Sequence, residues 1–259
     1  MDPKINVRNY NREAWDKQVE IGENPWTKPV NPEVIENARK GFFQVLLTET
    51  KPVPLDWFPP FKDLKILALA SGGGQQGPVF AALGASVTVF DNSPRQLGRD
   101  REVAEREGLT KLSTVEGDAR DLSIFPDQSF DLIFHPVSNV FIPEIVPIWR
   151  EAFRVLRHGG TLLSGFMNPA YYIFDFDQAE NGILEVKYKL PYADIDHQEI
   201  YQRQVDHHWP LEYSHTLTDQ LAGQLDAGFQ IIGLYEDVMK NMLISEYFPV
   251  YIATRALKP

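Results

Sequence analysis

Cysteine is absent from this chain of 259 residues, which excludes disulfides, thiolate metal sites and a cysteine nucleophile together. Long apolar runs are missing too. No uninterrupted stretch approaches membrane-spanning length, and the opening Met1-Asp2-Pro3-Lys4-Ile5-Asn6 carries no apolar signal core. A cytoplasmic protein with no membrane insertion is therefore expected. Basic charge is scarce: 25 Lys and Arg stand against 36 Asp and Glu, for a formal net charge of −11. No basic block offsets that excess, so nucleic-acid phosphate is not expected as a partner. Repeats and low-complexity segments are also lacking. What the chain does have is core material, with 43% hydrophobic and 12% aromatic residues, enough for one large α/β domain with a modest appendage.

The most informative stretch is Lys65-Ile66-Leu67-Ala68-Leu69-Ala70-Ser71-Gly72-Gly73-Gly74-Gln75-Gln76-Gly77. An apolar run of strand length ends in three glycines and gives way to a helix-like segment. Such a turn lets the backbone approach a ligand, while the following helix offers it free N–H groups. Gly72, Gly74 and Gly77 also satisfy a GxGxxG pattern, which keeps an NAD-dependent oxidoreductase in view.

Around this turn the chain divides in two. Residues 1–61 read as an N-terminal helical cap and Pro-rich connector, and 62–259 as the main domain, with an insertion at about 168–215. In the cap, Asn31 and Pro32 open a helix whose apolar face runs Val34, Ala38, Phe42 and Leu46. From Lys65 strands alternate with helices: Ser86–Phe90, Leu112–Val115, Phe130–Phe134 and Thr161–Phe166 are the further strands. Ser93, Pro94 and Gln96 supply an N-cap, a first-turn proline and a capping-box partner for a helix stopping near Gly108. A helix over Glu144–Arg157 is expected to close at Gly159-Gly160, and Ile183–Tyr188 is a strand-like patch in the insertion. Leu217–Ala227 reads as a helix, followed by strands near Gln230–Tyr235 and Pro249–Arg255 whose short link allows an antiparallel pair. The pattern is α/β, a doubly wound, mostly parallel sheet that binds ligands at the carboxyl ends of its strands.

The unusual residues fall at those ends. Asp91 follows the second strand about 20 residues past the glycine turn, where a carboxylate accepts both ribose hydroxyls of an adenosine cofactor. Its alternative role is to assist the next helix N-terminus, although Ser93 already supplies that cap. Asn92 stands beside it. Asp118, in Gly117-Asp118-Ala119, places a carboxylate next to a backbone N–H, a pair able to read an adenine edge; an ordinary Asp turn is the alternative.

This ordered set, with Phe130-Asp131-Leu132-Ile133-Phe134 and Leu156-Arg157-His158-Gly159-Gly160, resembles the class I S-adenosylmethionine-dependent methyltransferases, and more narrowly the methyltransferase type 11 and ubiquinone/menaquinone-biosynthesis-like group. The resemblance covers about residues 62–168. It implies a seven-stranded Rossmann-like sheet with a reversed last strand, S-adenosylmethionine as cofactor, S-adenosylhomocysteine as product, and a small-molecule methyl acceptor. A non-catalytic protein that binds S-adenosylmethionine is the other reading of the same fold.

Two positions depart from the family. Ala68 stands where an acidic residue is usual, and Ala70 where the first motif glycine is usual. The carbonyls of Ala70 and Ser71, with the amides of Gln75 or Gln76, are the expected substitutes in holding the methionine end beside Gly72, Gly73 and Gly74. His135, after the fourth strand, is a candidate base. Tyr10 and Trp15, with Trp26, could close over the sulfonium as an aromatic lid or merely staple the cap down. Tyr171, Tyr172, Tyr192 and Trp209 are positioned to shape an acceptor pocket. His197, His207, His208 and His215 match no helical two-His spacing, so no metal site is expected.

Overall fold

A computed structural model describes residues 5–259; Met1–Lys4, part of the segment searched for a signal core, lie outside the described residues. The strands are β1 (Lys65–Leu69), β2 (Ser86–Asp91), β3 (Leu112–Glu116), β4 (Phe130–His135), β5 (Leu156–Met167), β6 (Gln230–Asp237) and β7 (Tyr251–Leu257). They form one seven-stranded sheet in the order β3-β2-β1-β4-β5-β7-β6. Neighbours from β3 through β5 run parallel, and β7 runs antiparallel to both β5 and β6. The mostly parallel sheet with its reversed last strand is as expected, and the chain order reverses between β1 and β4, which opens a crevice at the carboxyl edge.

Alternation along the strands sorts side chains onto two faces. Ile66 and Ala68 of β1, with Leu132 and Phe134 of β4, join one core with Phe80; Leu67, Leu69 and Ile133 join a second core with Trp149. The first core also takes in Ile35, Ala38, Val45, Leu47, Val53 and Trp57. The N-terminal segment therefore shares its core with the sheet. Tyr172, Tyr188, Tyr192, Tyr251, Met167 and Val140 form a third cluster, above the carboxyl edge.

The helices are α1 (Val7–Ile21), α2 (Pro32–Arg39), α3 (Gln76–Ala82), α4 (Pro94–Glu107), α5 (Val146–Val155), α6 (Phe176–Glu180), α7 (Gln198–His207) and α8 (Gly223–Asp226). Among the described residues no helix is long and apolar enough to cross a membrane.

Several local expectations are corrected. Asn31 caps α2 through Val34 N and Pro32 opens it, but Gly41, at φ 87°, turns the chain out after Arg39. Phe42 is left 72% exposed, and the buried face is Ile35 and Ala38. Ser93 caps α4 through Gln96 N and Gly108 ends it, yet the capping box is half made: Ser93 N donates to Asp91 Oδ1 and not to Gln96. α5 stops at Val155, two residues short of Arg157, because Leu156 already pairs with Phe130. Gly159 and Gly160 therefore lie in an irregularity inside β5, not at a helix end. Ile183–Tyr188 is no strand. It makes a single bridge from Val186 to Phe174 and has no neighbour to extend a ladder. Leu217–Ala227 is helical as expected, with a π-turn over Thr218–Ala222 that runs into α8 where Gly223 packs on the Trp149 ring.

Candidate active site

The glycine turn is built by its contacts on every side. Ala70 leaves β1 at φ 46°, a left-handed backbone that explains why glycine is usual there. Asp91 at the end of β2 reaches across, accepting Gly72 N–H on Oδ2 at 2.9 Å and Ser93 N–H on Oδ1 at 2.9 Å. A carboxylate oxygen has two lone pairs, so each retains acceptor capacity. Burial pushes the Asp91 carboxyl up, Asp16 adds to this, and the backbone N–H groups oppose it. Ala68 is fully buried and offers no polar group; Asp100 of α4 anchors the turn instead, accepting Gly73 N–H at 3.0 Å.

A cavity of about 660 Å³ opens at this carboxyl edge. Ala70, Ser71, Gly72, Gln75 and Gln76 line it from the turn, and Asp91, Asn92, Gly117, Asp118 and Ala119 from the ends of β2 and β3. Gly117 has no room for a side chain: a Cβ there would stand 2.0 Å from Phe90 Cζ. Asp118 is forked by Arg120, whose Nε and Nη2 reach it at 3.0 and 2.7 Å, with Arg8 Nε 3.8 Å away. Partial burial raises the Asp118 carboxyl, but Arg120 outweighs it and holds the group below its ordinary range.

Four of the expected cofactor-site residues do not line this cavity. Gly73 and Gly74 face away, packed on Trp26 O and on Arg99 O with Pro29. Tyr10 donates its hydroxyl to Trp209 O at 3.2 Å, whereas Trp15 does reach the cavity and packs edge-on against Phe141 at 5.1 Å. His135 has no exposed surface. Its Nδ1 lies 2.9 Å from Leu69 O and its Nε2 2.7 Å from Asn139 Oδ1, and burial pushes its pKa down. With both nitrogens held inside the protein, it cannot take a proton from an acceptor, so the base assignment is corrected to a buried structural role.

The glutamine expectation also changes. Gln75 Nε2 donates to Pro25 O at 2.9 Å and Lys28 O at 3.1 Å, so this amide clamps the cap to the turn. Gln76 Oε1 faces Ser71 Oγ at 3.2 Å. Gly77 is tighter than an ordinary helix residue: a Cβ there would meet Val89 at 2.6 Å, which makes it the close-packing glycine between α3 and β2.

Beyond β4 the cavity becomes aromatic. Tyr171, Tyr172 and Trp209 line it, while Tyr192 stacks behind Tyr172 at 5.3 Å. The sequence reading missed Arg8, Arg120, Glu49, Glu212 and Tyr251, all on the wall. Arg120, two residues past Asp118, had a local signal. The others are brought in by tertiary contacts from distant parts of the chain.

Comparison with known proteins agrees with this architecture. A methyltransferase-domain family model matches residues 67–164, which run from β1 into β5. The uncharacterized methyltransferase YbaJ of Bacillus subtilis is 50% identical over 251 residues, covering 96% of this chain and 97% of the relative. The sterol 24-C-methyltransferase erg6 of Aspergillus fumigatus is 37% identical over 131 residues, 49% of this chain and 34% of that protein. Among solved structures, an S-adenosylmethionine-dependent methyltransferase from Mesorhizobium loti superposes with a TM-score of 0.60 at 18% identity, covering 78% of this chain and 94% of the other. The chain belongs to the class I S-adenosylmethionine-dependent methyltransferases.

Proposed function

We propose that this methyltransferase transfers a methyl group to a small organic molecule held in the same cavity as the cofactor. The observation that carries the reading is that one cavity runs from Asp91 and Asp118, at the ends of β2 and β3, to Tyr171 and Tyr172, past β5. Its volume of about 660 Å³ falls in the range of small-ligand sites. The net charge of −11 disfavours a nucleic-acid acceptor.

The residues suit the cofactor. Asp91 has free lone pairs for a ribose diol, and at Gly117 the wall comes so close that no Cβ fits. Asp118 and Ala119 N–H offer an acceptor and a donor to the adenine edge, with Arg120 moving aside or stacking. The carbonyls of Ala70 and Ser71 remain to receive the methionine ammonium. When bound, the cofactor supplies a methyl group on a positively charged sulfur. The protein aligns the acceptor for in-line attack and excludes water. Trp15 and Trp26 put aromatic faces on the wall, where a cation is favoured.

Incubation of pure protein with S-adenosylmethionine and a library of small metabolites tests this. S-adenosylhomocysteine is expected to form with one chemical class of acceptor and to fall at least tenfold on Asp91→Ala. Formation with none of them, but with protein or RNA, would overturn the small-molecule reading.

A further inference from the structure

We propose that the aromatic end of the cavity takes an amine, and that Glu212 holds its N–H and receives the proton released as the nitrogen is methylated. This rests on the methyl-transfer reading above. Glu212 is fixed from both sides: Leu211 N donates to Asn11 Oδ1 of α1 at 2.7 Å, and Tyr213 N donates to Val140 O, after β4, at 2.7 Å. Its Oε2 accepts the Tyr172 hydroxyl at 2.8 Å, while no described residue donates to Oε1, which is not sealed from the cavity.

The neighbouring polar atoms are acceptors as well. Gln204 donates Nε2 to Asp194 Oδ2 at 2.7 Å, which fixes its amide and leaves Oε1 buried without a donor. Glu49, also on the wall, accepts Tyr251 Oη at 3.2 Å and Lys240 N at 3.2 Å. This end of the cavity therefore presents the Glu212 and Glu49 carboxylates beside the rings of Tyr171, Tyr172 and Trp209, with the Trp209 indole and Lys240 as its N–H donors. A nitrogen with N–H groups satisfies the two carboxylates. A carboxylate-bearing molecule is disfavoured beside Glu212 and Glu49, and the aromatic faces favour the positive charge that develops on the nitrogen as it is methylated. Lys240 is exposed at the rim.

The groups facing Glu212 also suit proton transfer. Asp194, before α7, accepts Glu212 N–H at 2.8 Å, and Tyr171, Tyr172, Tyr192 and Tyr251 surround the two carboxylates. Burial first, and Asp194 second, push the Glu212 carboxyl up to about 7, against the Tyr172 hydrogen bond. A group with that affinity can both take and return a proton near neutral pH. In the step, the lone pair of the neutral amine forms the new N–C bond. The C–S bond breaks with its electron pair left on sulfur, which becomes the neutral thioether of S-adenosylhomocysteine. The nitrogen, now positively charged, gives a proton to the Glu212 carboxylate, which passes it to water.

The test is calorimetric titration of the S-adenosylhomocysteine complex with 2-phenylethylamine and n-butylamine, against 2-phenylethanol and 3-phenylpropionate, for wild type and Glu212→Gln. Wild type is expected to bind the better amine at least tenfold tighter than the alcohol or acid. Glu212→Gln should lose that preference with S-adenosylhomocysteine affinity and melting temperature unchanged. An alcohol or acid bound as tightly as the amines, no amine binding, or a preference that survives Glu212→Gln would overturn the proposal. Should Glu212→Gln fail to fold, the wild-type ranking decides. Failure of wild type to bind S-adenosylhomocysteine is a different result, which removes the methyl-transfer reading itself.

Discussion

Asp100 holds the glycine turn from beneath with a carboxylate that has no exposed surface, and burial pushes its pKa to about 8. In the unfolded chain the same group releases its proton in the ordinary carboxylate range. Between those two values the folded state binds one more proton, so stability falls as pH rises from about 4 to about 8 and is level above that. Asp100→Asn keeps an oxygen for Gly73 N–H and removes the slope. Urea unfolding should find the variant more stable than wild type at pH 9 by on the order of 5 kcal/mol, with the gap closing toward pH 4. Parallel curves would contradict this. Gly117 and Ala70 make a contrasting pair. Gly117→Ala drives a Cβ into Phe90 and should cost about 1–3 kcal/mol in denaturant unfolding. Ala70→Gly relieves a left-handed backbone at φ 46° and should stay within about 1 kcal/mol of wild type.

Among the elements, α1 is tied down chiefly by polar contacts. Arg8 and Asn92 exchange two hydrogen bonds, at 3.1 and 2.8 Å. Asp16 accepts Ser93 Oγ–H at 2.6 Å and Arg95 N–H at 3.1 Å, so a residue of α1 sits at the positive N-terminus of α4. Asp16→Ala is expected to speed amide exchange across Val7–Ile21 and to weaken S-adenosylhomocysteine about threefold or more, since α1 carries Arg8 and Trp15 to the cavity. Unchanged exchange in α1 would contradict its role as a docked roof. The same contacts show where sequence reading stops. The strands from Lys65 to Phe134 were legible because short apolar runs closed by glycine or aspartate at the strand end are local signals. Asp91 and Asp118 were legible from their place at strand ends. The end of α2 was missed because Gly41, not the apolar period, decides it, and β5 was shortened because two glycines looked like a helix stop. Glu212 and Arg8 carry no spacing signal: they reach the cavity through hydrogen bonds to residues far away in the chain.

At the scale of the whole molecule, one sheet supplies two chemically different ends of a single cavity. Carboxylates at the ends of β2 and β3 face one end, and tyrosines and Glu212 beyond β4 and β5 face the other. The segment from Ile35 to Trp57 shares its core with the sheet, so it and the sheet should unfold together, in one transition. The GxGxxG pattern alone was compatible with a nicotinamide enzyme. Calorimetric titration of the wild-type protein with S-adenosylhomocysteine and with NAD tests the central claim most directly. One S-adenosylhomocysteine bound per chain, displaced by S-adenosylmethionine and with no heat from NAD, is the predicted result. Binding of NAD in its place, or no binding of either methyl-cycle ligand, would contradict it.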